Sequence, residues 1–239
     1  MKRLGVNIDH VATVRNARNA FHPDPLSIAK HVMKCGAHSI TIHLREDRRH
    51  IKDLDVVKIC KNRNIITNLE ISLNENIIKI ALRNKPNFIC IVPEKRKEVT
   101  TEGGLNLSKN LSKIKKTIKK FSNKNIRTSL FIDPNIKDIK ISKELNADCI
   151  EIHTGKFSDL VKNKKNYSYE FKKIKKCCDF AKEIGLEVHA GHGLDYKSTS
   201  ILSKLKEIEE FNIGHFIIGE SIVHGLKDTI KRFKKISNK

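Results

Sequence analysis

The chain has 239 residues, 38% of them hydrophobic and 31% charged, a composition that excludes a disordered chain and is long enough for one sizeable core. Its 48 basic residues against 27 acidic ones give a net charge of +21, yet Arg is the minority cation and aromatics are 5% with no Trp. Phosphate forks and base-stacking platforms are therefore thin, which argues against a nucleic-acid partner, and no apolar run approaches the roughly 18 residues of a membrane span.

Residues 4–9 alternate, with Leu4, Val6 and Ile8 on one face and Asn7 and Asp9 on the other, and predict a strand. A helical pattern at 26–35 leads to a strand at 39–44, where Ile40, Ile42 and Leu44 oppose Thr41, His43 and Arg45. The dense charged segment from Arg45 to His50 follows, then a helix at 56–61. The third strand, 67–71, sets Leu69 and Ile71 against Asn68 and Glu70 and is followed by a helix at 75–83. After a fourth strand at 88–92, Thr100-Thr101-Glu102-Gly103-Gly104 reads as a lid with hydroxyls at its tip. A helix at 107–121 carries Leu111, Ile114, Ile118 and Phe121 at three- and four-residue steps, with lysines on its solvated face. Strands at 128–132 and 149–153 enclose a helix at 136–145, and the latter strand opposes Ile150 and Ile152 to Glu151 and His153. A helix at 170–184, a strand at 187–190 ending in Gly191-His192-Gly193, and a helix at 199–205 come next. A last strand near 211–213 runs into Gly214-His215, and a helix at 226–236 closes the chain.

Eight strand-then-helix units in this length predict an α/β fold, a (βα)8 TIM barrel with residues 1–239 as one catalytic domain. A doubly wound open sheet is the alternative, but no G-x-G-x-x-G or G-x-x-x-x-G-K-[ST] loop follows the first strand. Six cysteines without a C-x-x-C pair read as reduced thiols in a cytoplasmic protein.

The apolar faces would pack under the helix ring and the polar faces would line the axis. Aliphatic layers fill the axis of a purely structural barrel, so Asn, Asp, His, Arg and Glu there point to a catalytic mouth. Glu70 and Glu151 are candidate acid–base carboxylates, and His43 and His192 candidate proton carriers. No H-E-x-x-H and no zinc-type spacing occurs, and no metal is expected. Arg45 offers a bidentate fork to phosphate, and the backbone at Gly193, Gly214 and His215 offers further donors.

At these residues the chain becomes recognisable. Gly5-Val6-Asn7-Ile8-Asp9-His10, His43-Leu44-Arg45-Glu46-Asp47-Arg48-Arg49-His50-Ile51 and Val92-Pro93-Glu94-Lys95-Arg96 form the first part of the match. Glu98-Val99-Thr100-Thr101-Glu102-Gly103-Gly104-Leu105, Glu151-Ile152-His153-Thr154-Gly155, Ala190-Gly191-His192-Gly193-Leu194 and Asn212-Ile213-Gly214-His215 complete it. Their order and spacing closely resemble the pyridoxine 5'-phosphate synthases, the ring-closing enzymes of bacterial vitamin B6 synthesis, over nearly the whole chain. The resemblance implies a (βα)8 barrel with additional short helices in a homo-octamer, without metal or organic cofactor. It implies condensation of 3-amino-2-oxopropyl phosphate with 1-deoxy-D-xylulose 5-phosphate to pyridoxine 5'-phosphate, phosphate and water.

By position, the resemblance makes His43 and Glu70 proton acceptors, His192 the proton donor and Glu151 a stabiliser of the transition state. It places Asn7, Arg18, Gly193, Gly214 and His215 on the amino-ketone phosphate, and Asp9, His10, Arg45, His50 and Thr100 on the deoxyxylulose phosphate. The stretch 156–169 departs from the pattern by its wealth of Lys and Asn. Another phosphosugar isomerase or an aldolase on the same barrel is the alternative, disfavoured because no Lys stands at an inward strand position to form a Schiff base.

Overall fold

The β-branched runs of the sequence become eight strands, and a computed structural model describes residues 1–94 and 103–238. In chain order these residues form β1 (Arg3–Asn7), α1 (Asp9–Ala17), α2 (Pro25–Lys34), β2 (Ser39–His43), α3 (Asp53–Cys60), β3 (Thr67–Ile71) and α4 (Glu75–Asn84). There follow β4 (Phe88–Ile91), α5 (Leu107–Ser122), β5 (Arg127–Ile132), α6 (Ile136–Glu144), β6 (Cys149–His153), α7 (Gly155–Lys162) and α8 (Ser168–Glu183). The chain ends with β7 (Glu187–Gly191), α9 (Tyr196–Leu202), β8 (Ile208–Ile213), α10 (His215–His224) and α11 (Leu226–Ser237). Every strand pairs in parallel with the next, and β1 pairs with β8 in the register Gly5 opposite Asn212, so the sheet closes into a (βα)8 barrel.

Short polar side chains start the helices after the strands. Asp24, Asn74, Asn106, Asn135 and Asp195 each accept a hydrogen bond from a backbone N–H of the first turn that has no partner within the helix. The outward strand faces bury Leu4, Val6, Ile40, Ile42, Leu69, Ile89, Ile150 and Val188 completely, and Ile114, Ile118, Phe121, Ile230 and Phe233 of the helix ring pack over them. Burying one such side chain contributes roughly 1.5–3 kcal/mol.

The inward faces differ in kind. Thr41, Asn68, Ser129, Glu151, His189, Glu210 and Asn212 are all buried there. At the N-terminal end of the barrel, Arg3 pairs with Glu187 and with Glu210 (2.7 Å), Arg127 Nη2 lies 2.8 Å from Glu187, and His189 Nε2 lies 2.8 Å from Glu187. Paired charges close that end, so the open chemistry is left to the other.

Three local expectations change. The first strand ends at Asn7, and Asp9 stands in the first turn of α1, where Asn7 Oδ1 accepts its N–H (2.9 Å) and a carboxylate suits the helix N-terminus. Helices α1, α7 and α10 lie in segments read as connections: α1 begins without a loop, and α10 carries Phe216, Ile217, Ile218, Ile222 and Val223 with no clean polar face. Leu111 is exposed, and Leu107 and Thr117 take its place in the buried stripe of α5.

Candidate active site

The C-terminal strand ends bring Asp9, His43 and Glu70 together, with one ligand atom of each within 4.8 Å of the others. The register sets His43 opposite Glu70 on adjacent strands, and His43 Nδ1 lies 3.5 Å from Glu70 Oε2. Asp9 Oδ1 accepts the backbone N–H of His43 at 2.8 Å, while its Oδ2 accepts from Asn7 Nδ2 at 2.9 Å. His50 lies beside His43, ring centroids 6.0 Å apart. Its Nδ1 accepts the Ile51 N–H (2.9 Å), so it faces Asp9 Oδ1 at 3.9 Å as a lone pair and forms no ion pair.

A second group stands across the mouth. Asn212 Nδ2 donates to Glu151 Oε2 (2.8 Å), and Gly191 leaves room for that carboxylate, since a Cβ there would collide with Glu151 Oε1. The His153 and His192 rings pack at 4.8 Å, with Phe131 edge-on to both. Asp133 Oδ1 accepts the Gly104 N–H (3.0 Å) and lies 3.4 Å from His153 Nδ1. His192 and Gly193 are consecutive left-handed residues, φ 75° and 76°, which turns the chain sharply above β7.

Burial sets the proton affinities. It pushes the Glu151 carboxyl up to about 7 against the pull of His189 and the Asn212 hydrogen bond, and the Asp9 carboxyl up to about 6 against the pull of His43. Glu70 is raised well above the usual carboxylate range by burial and then by the charges of Asp9 and Glu151. Burial, with His43 and Arg45, lowers His50 to about 4. His192 is also lowered, by burial and then by His153, with Asp159 opposing. Carboxyls raised toward or past neutrality and imidazoles lowered away from their cations thus share one mouth, the condition for proton transfer in both directions.

The anion-binding candidates divide. Gly214 precedes the N-terminus of α10 and packs so closely on Asn7 that a Cβ would stand 2.8 Å from Asn7 Cβ. His215 opens α10 and meets His10 edge-on at 4.9 Å, which joins the two sets of expected phosphate contacts. Arg45 is half-buried, 3.3 Å from Asp47 Oδ1 and 4.0 Å from Glu94 Oε2. Arg18 is exposed at the C-cap of α1, with no hydrogen bond to the rest of the site among the described residues. Thr100 and most of the expected lid, 100–102, lie outside the described residues.

Glu94, Asp133, His153 and Asn212 belong to the site without having been picked out as site residues, although Glu94, His153 and Asn212 all stand inside recognised motifs. Among the described residues two groups could hold a cation, Asp9 with His43 and Glu70, and Cys149 with Glu187 and His189. The first has a carboxyl driven toward its neutral form, and in the second Arg3 and Arg127 already occupy the carboxylate, so neither is a strong ligand set. Among the described residues no strand contains a lysine, so none of these strands offers a Schiff-base amine.

Comparison with known proteins shows the family and the fold. The family model described as pyridoxal phosphate biosynthesis protein PdxJ matches residues 4–239. A pyridoxine 5'-phosphate synthase of Pelagibacter ubique is 76% identical over 239 residues, covering 100% of both chains. One of Zymomonas mobilis is 47% identical, covering 97% of this chain and 90% of its own. Among solved structures, phosphoribosyl anthranilate isomerase of Thermotoga maritima superposes with a TM-score of 0.63 at 13% identity, covering 99% and 98% of the two chains. At that identity the likeness is one of fold.

Proposed function

The chain belongs to the PdxJ family of pyridoxal phosphate biosynthesis proteins, and from that premise we propose how its residues share the work of the family's reaction. The enzyme condenses 3-amino-2-oxopropyl phosphate with 1-deoxy-D-xylulose 5-phosphate to pyridoxine 5'-phosphate, releasing phosphate and water. Joining an amine to a ketone, eliminating phosphate and closing an aromatic ring require repeated proton transfers on one bound framework. The convergence of Asp9, His43 and Glu70 within 4.8 Å, with Glu151 on the same mouth, carries the reading.

In this reading His43 accepts a proton, Glu70 accepts one once its own has passed on, and His192, once protonated, donates one, its lowered pKa making its imidazolium the stronger acid. Glu151, held by Asn212, stabilises the cationic intermediates once ionised. Asn7, Gly193, Gly214, His215 and Arg18 take the amino-ketone phosphate, with the N-terminus of α10 supplying backbone donors. Asp9, His10, Arg45, His50 and Thr100 take the deoxyxylulose phosphate. His50, neutral and with Nδ1 engaged, offers Nε2–H as a donor to the anion.

The whole chain acts as one catalytic domain in a cytoplasmic homo-oligomer, an octamer by its resemblance. No helix among the described residues is long and apolar enough to cross a membrane. Phe21, Ile222 and Val223, exposed by 97%, 81% and 76%, are candidates for subunit contacts. Incubation with both phosphorylated substrates should yield pyridoxine 5'-phosphate and free phosphate, and Glu70→Gln should cut that turnover by about 10²-fold or more without loss of fold. Wild-type turnover in Glu70→Gln removes Glu70 from its role.

A further inference from the structure

His43 is held from every side. Asp9 on α1 takes its backbone N–H, Glu70 on β3 faces Nδ1 at 3.5 Å, and Glu94 just past β4 faces Nε2 at 3.0 Å. The neutral His50 ring and the Arg45 guanidinium, both from the segment after β2, complete its surroundings. Glu94 is itself anchored: its Oε2 accepts the Glu46 N–H at 2.9 Å and lies 4.0 Å from Arg45 Nη2. Its carboxylate is only 4% exposed.

The two carboxyls on the ring are driven in opposite directions. Burial raises Glu94, but the hydrogen bonds from His43 and the Glu46 amide, with the charges of His43 and Arg45, outweigh it and leave its pKa below the ordinary value. Glu70 is driven the other way by burial, Asp9 and Glu151. The ring therefore stands between a carboxylate favoured as its anion at 3.0 Å from Nε2 and a carboxyl favoured as its acid at 3.5 Å from Nδ1. The anion accepts the ring N–H, and the ring's lone pair turns to the acid.

We infer that Glu94 is a positioning residue, which fixes the tautomer of His43 with Nε2–H on Glu94 and leaves Nδ1 as the atom that exchanges protons with Glu70 and substrate. The inference rests on His43 being a base of the reaction. A proton taken at Nδ1 forms an imidazolium, whose Nε2–H bond to Glu94 becomes charge-assisted, so the cation is stabilised as it forms. No bond to carbon forms or breaks at Glu94. The logic is that of a carboxylate orienting a catalytic imidazole.

Glu94→Gln is the test. Its amide oxygen keeps the Glu46 N–H bond, which turns the NH2 group toward Nε2, forces the proton onto Nδ1 and aims it at Glu70. We expect kcat to fall by about 10²–10⁴-fold with KM within a few-fold, and the acid limb of the kcat profile to move to lower pH because an anion beside the base is gone. Nitrogen-15 spectra of the ring, assigned by the signal lost in His43→Gln, should move from an Nε2–H to an Nδ1–H pattern. Glu94→Asp, which keeps the charge on a shorter arm, should recover at least tenfold of the loss. An unchanged tautomer and pH profile in Glu94→Gln overturns the inference, as does a loss of activity matched by a loss of thermal stability and shared by Glu94→Asp. A silent His43→Gln would instead remove His43 from the reaction, a failure of the reading on which the inference rests.

Discussion

Glu151 and Glu187 stand on neighbouring strands of one barrel, and their surroundings drive the two carboxyls in opposite directions. Glu187 is held below the ordinary range by its hydrogen bond from His189 and then by Arg127 and Arg3, despite burial, and serves structure. Glu151 has Asn212 and no cation so close, so burial wins and its pKa rises from 4.5 to about 7. A carboxyl whose folded pKa exceeds its unfolded one binds more protons folded than unfolded between those values. Its burden on stability is therefore absent below about pH 4.5, grows as pH rises and is complete above about 7, on the order of 3 kcal/mol. Glu151→Gln, which keeps an acceptor for Asn212, should unfold at a higher denaturant midpoint than wild type at pH 8. The gap should shrink toward pH 5, and turnover should be lost by about 10²-fold. Equal midpoints at both pH values would contradict this account.

At the scale of the element, the strand-to-helix joints decide what chemistry is presented. Strand β7 ends on Gly191 because Glu151 occupies the space a side chain would need, and the Asn212 carbonyl oxygen stands 3.2 Å from the same point. Gly191→Ala should cost about 1–3 kcal/mol by overpacking and displace Glu151, lowering turnover. Gly219, exposed on α10 with nothing within 4 Å of an added Cβ, is the contrast: Gly219→Ala should stabilise by about 0.5–1 kcal/mol and leave activity unchanged. Thermal unfolding of the pair, with assay, separates a glycine required by close approach from one that is not. The strands were legible because their period of two is strict, Ile against His or Glu on β2, β3 and β6. Helix α10 was not, because two short apolar runs, 216–218 and 222–223, parted by Gly219-Glu220-Ser221, give no helical stripe to read.

For the whole molecule, the charge of +21 surrounds a mouth that takes two anionic substrates. The summed field of the lysines on the solvated helix faces attracts phosphorylated ligands over about a Debye length, ~10 Å at 0.1 M salt. Between about 50 and 500 mM KCl, kcat/KM should fall several-fold, chiefly through KM, with kcat nearly constant. A salt-independent kcat/KM would leave the charge as composition alone.

The sequence by itself determined the barrel, the polar strand faces, Glu70 among them, and the motifs that hold His43, Glu151 and His192, because alternation along a strand and residue order along a motif are local properties. Tertiary structure alone decided which partners those residues meet. Glu94 reaches His43 across 51 positions, Asn212 reaches Glu151 across 61, and Asp133 meets His153 from the loop after the preceding strand. Proton affinity follows burial and neighbouring charge, and both exist only once the sheet has closed on itself.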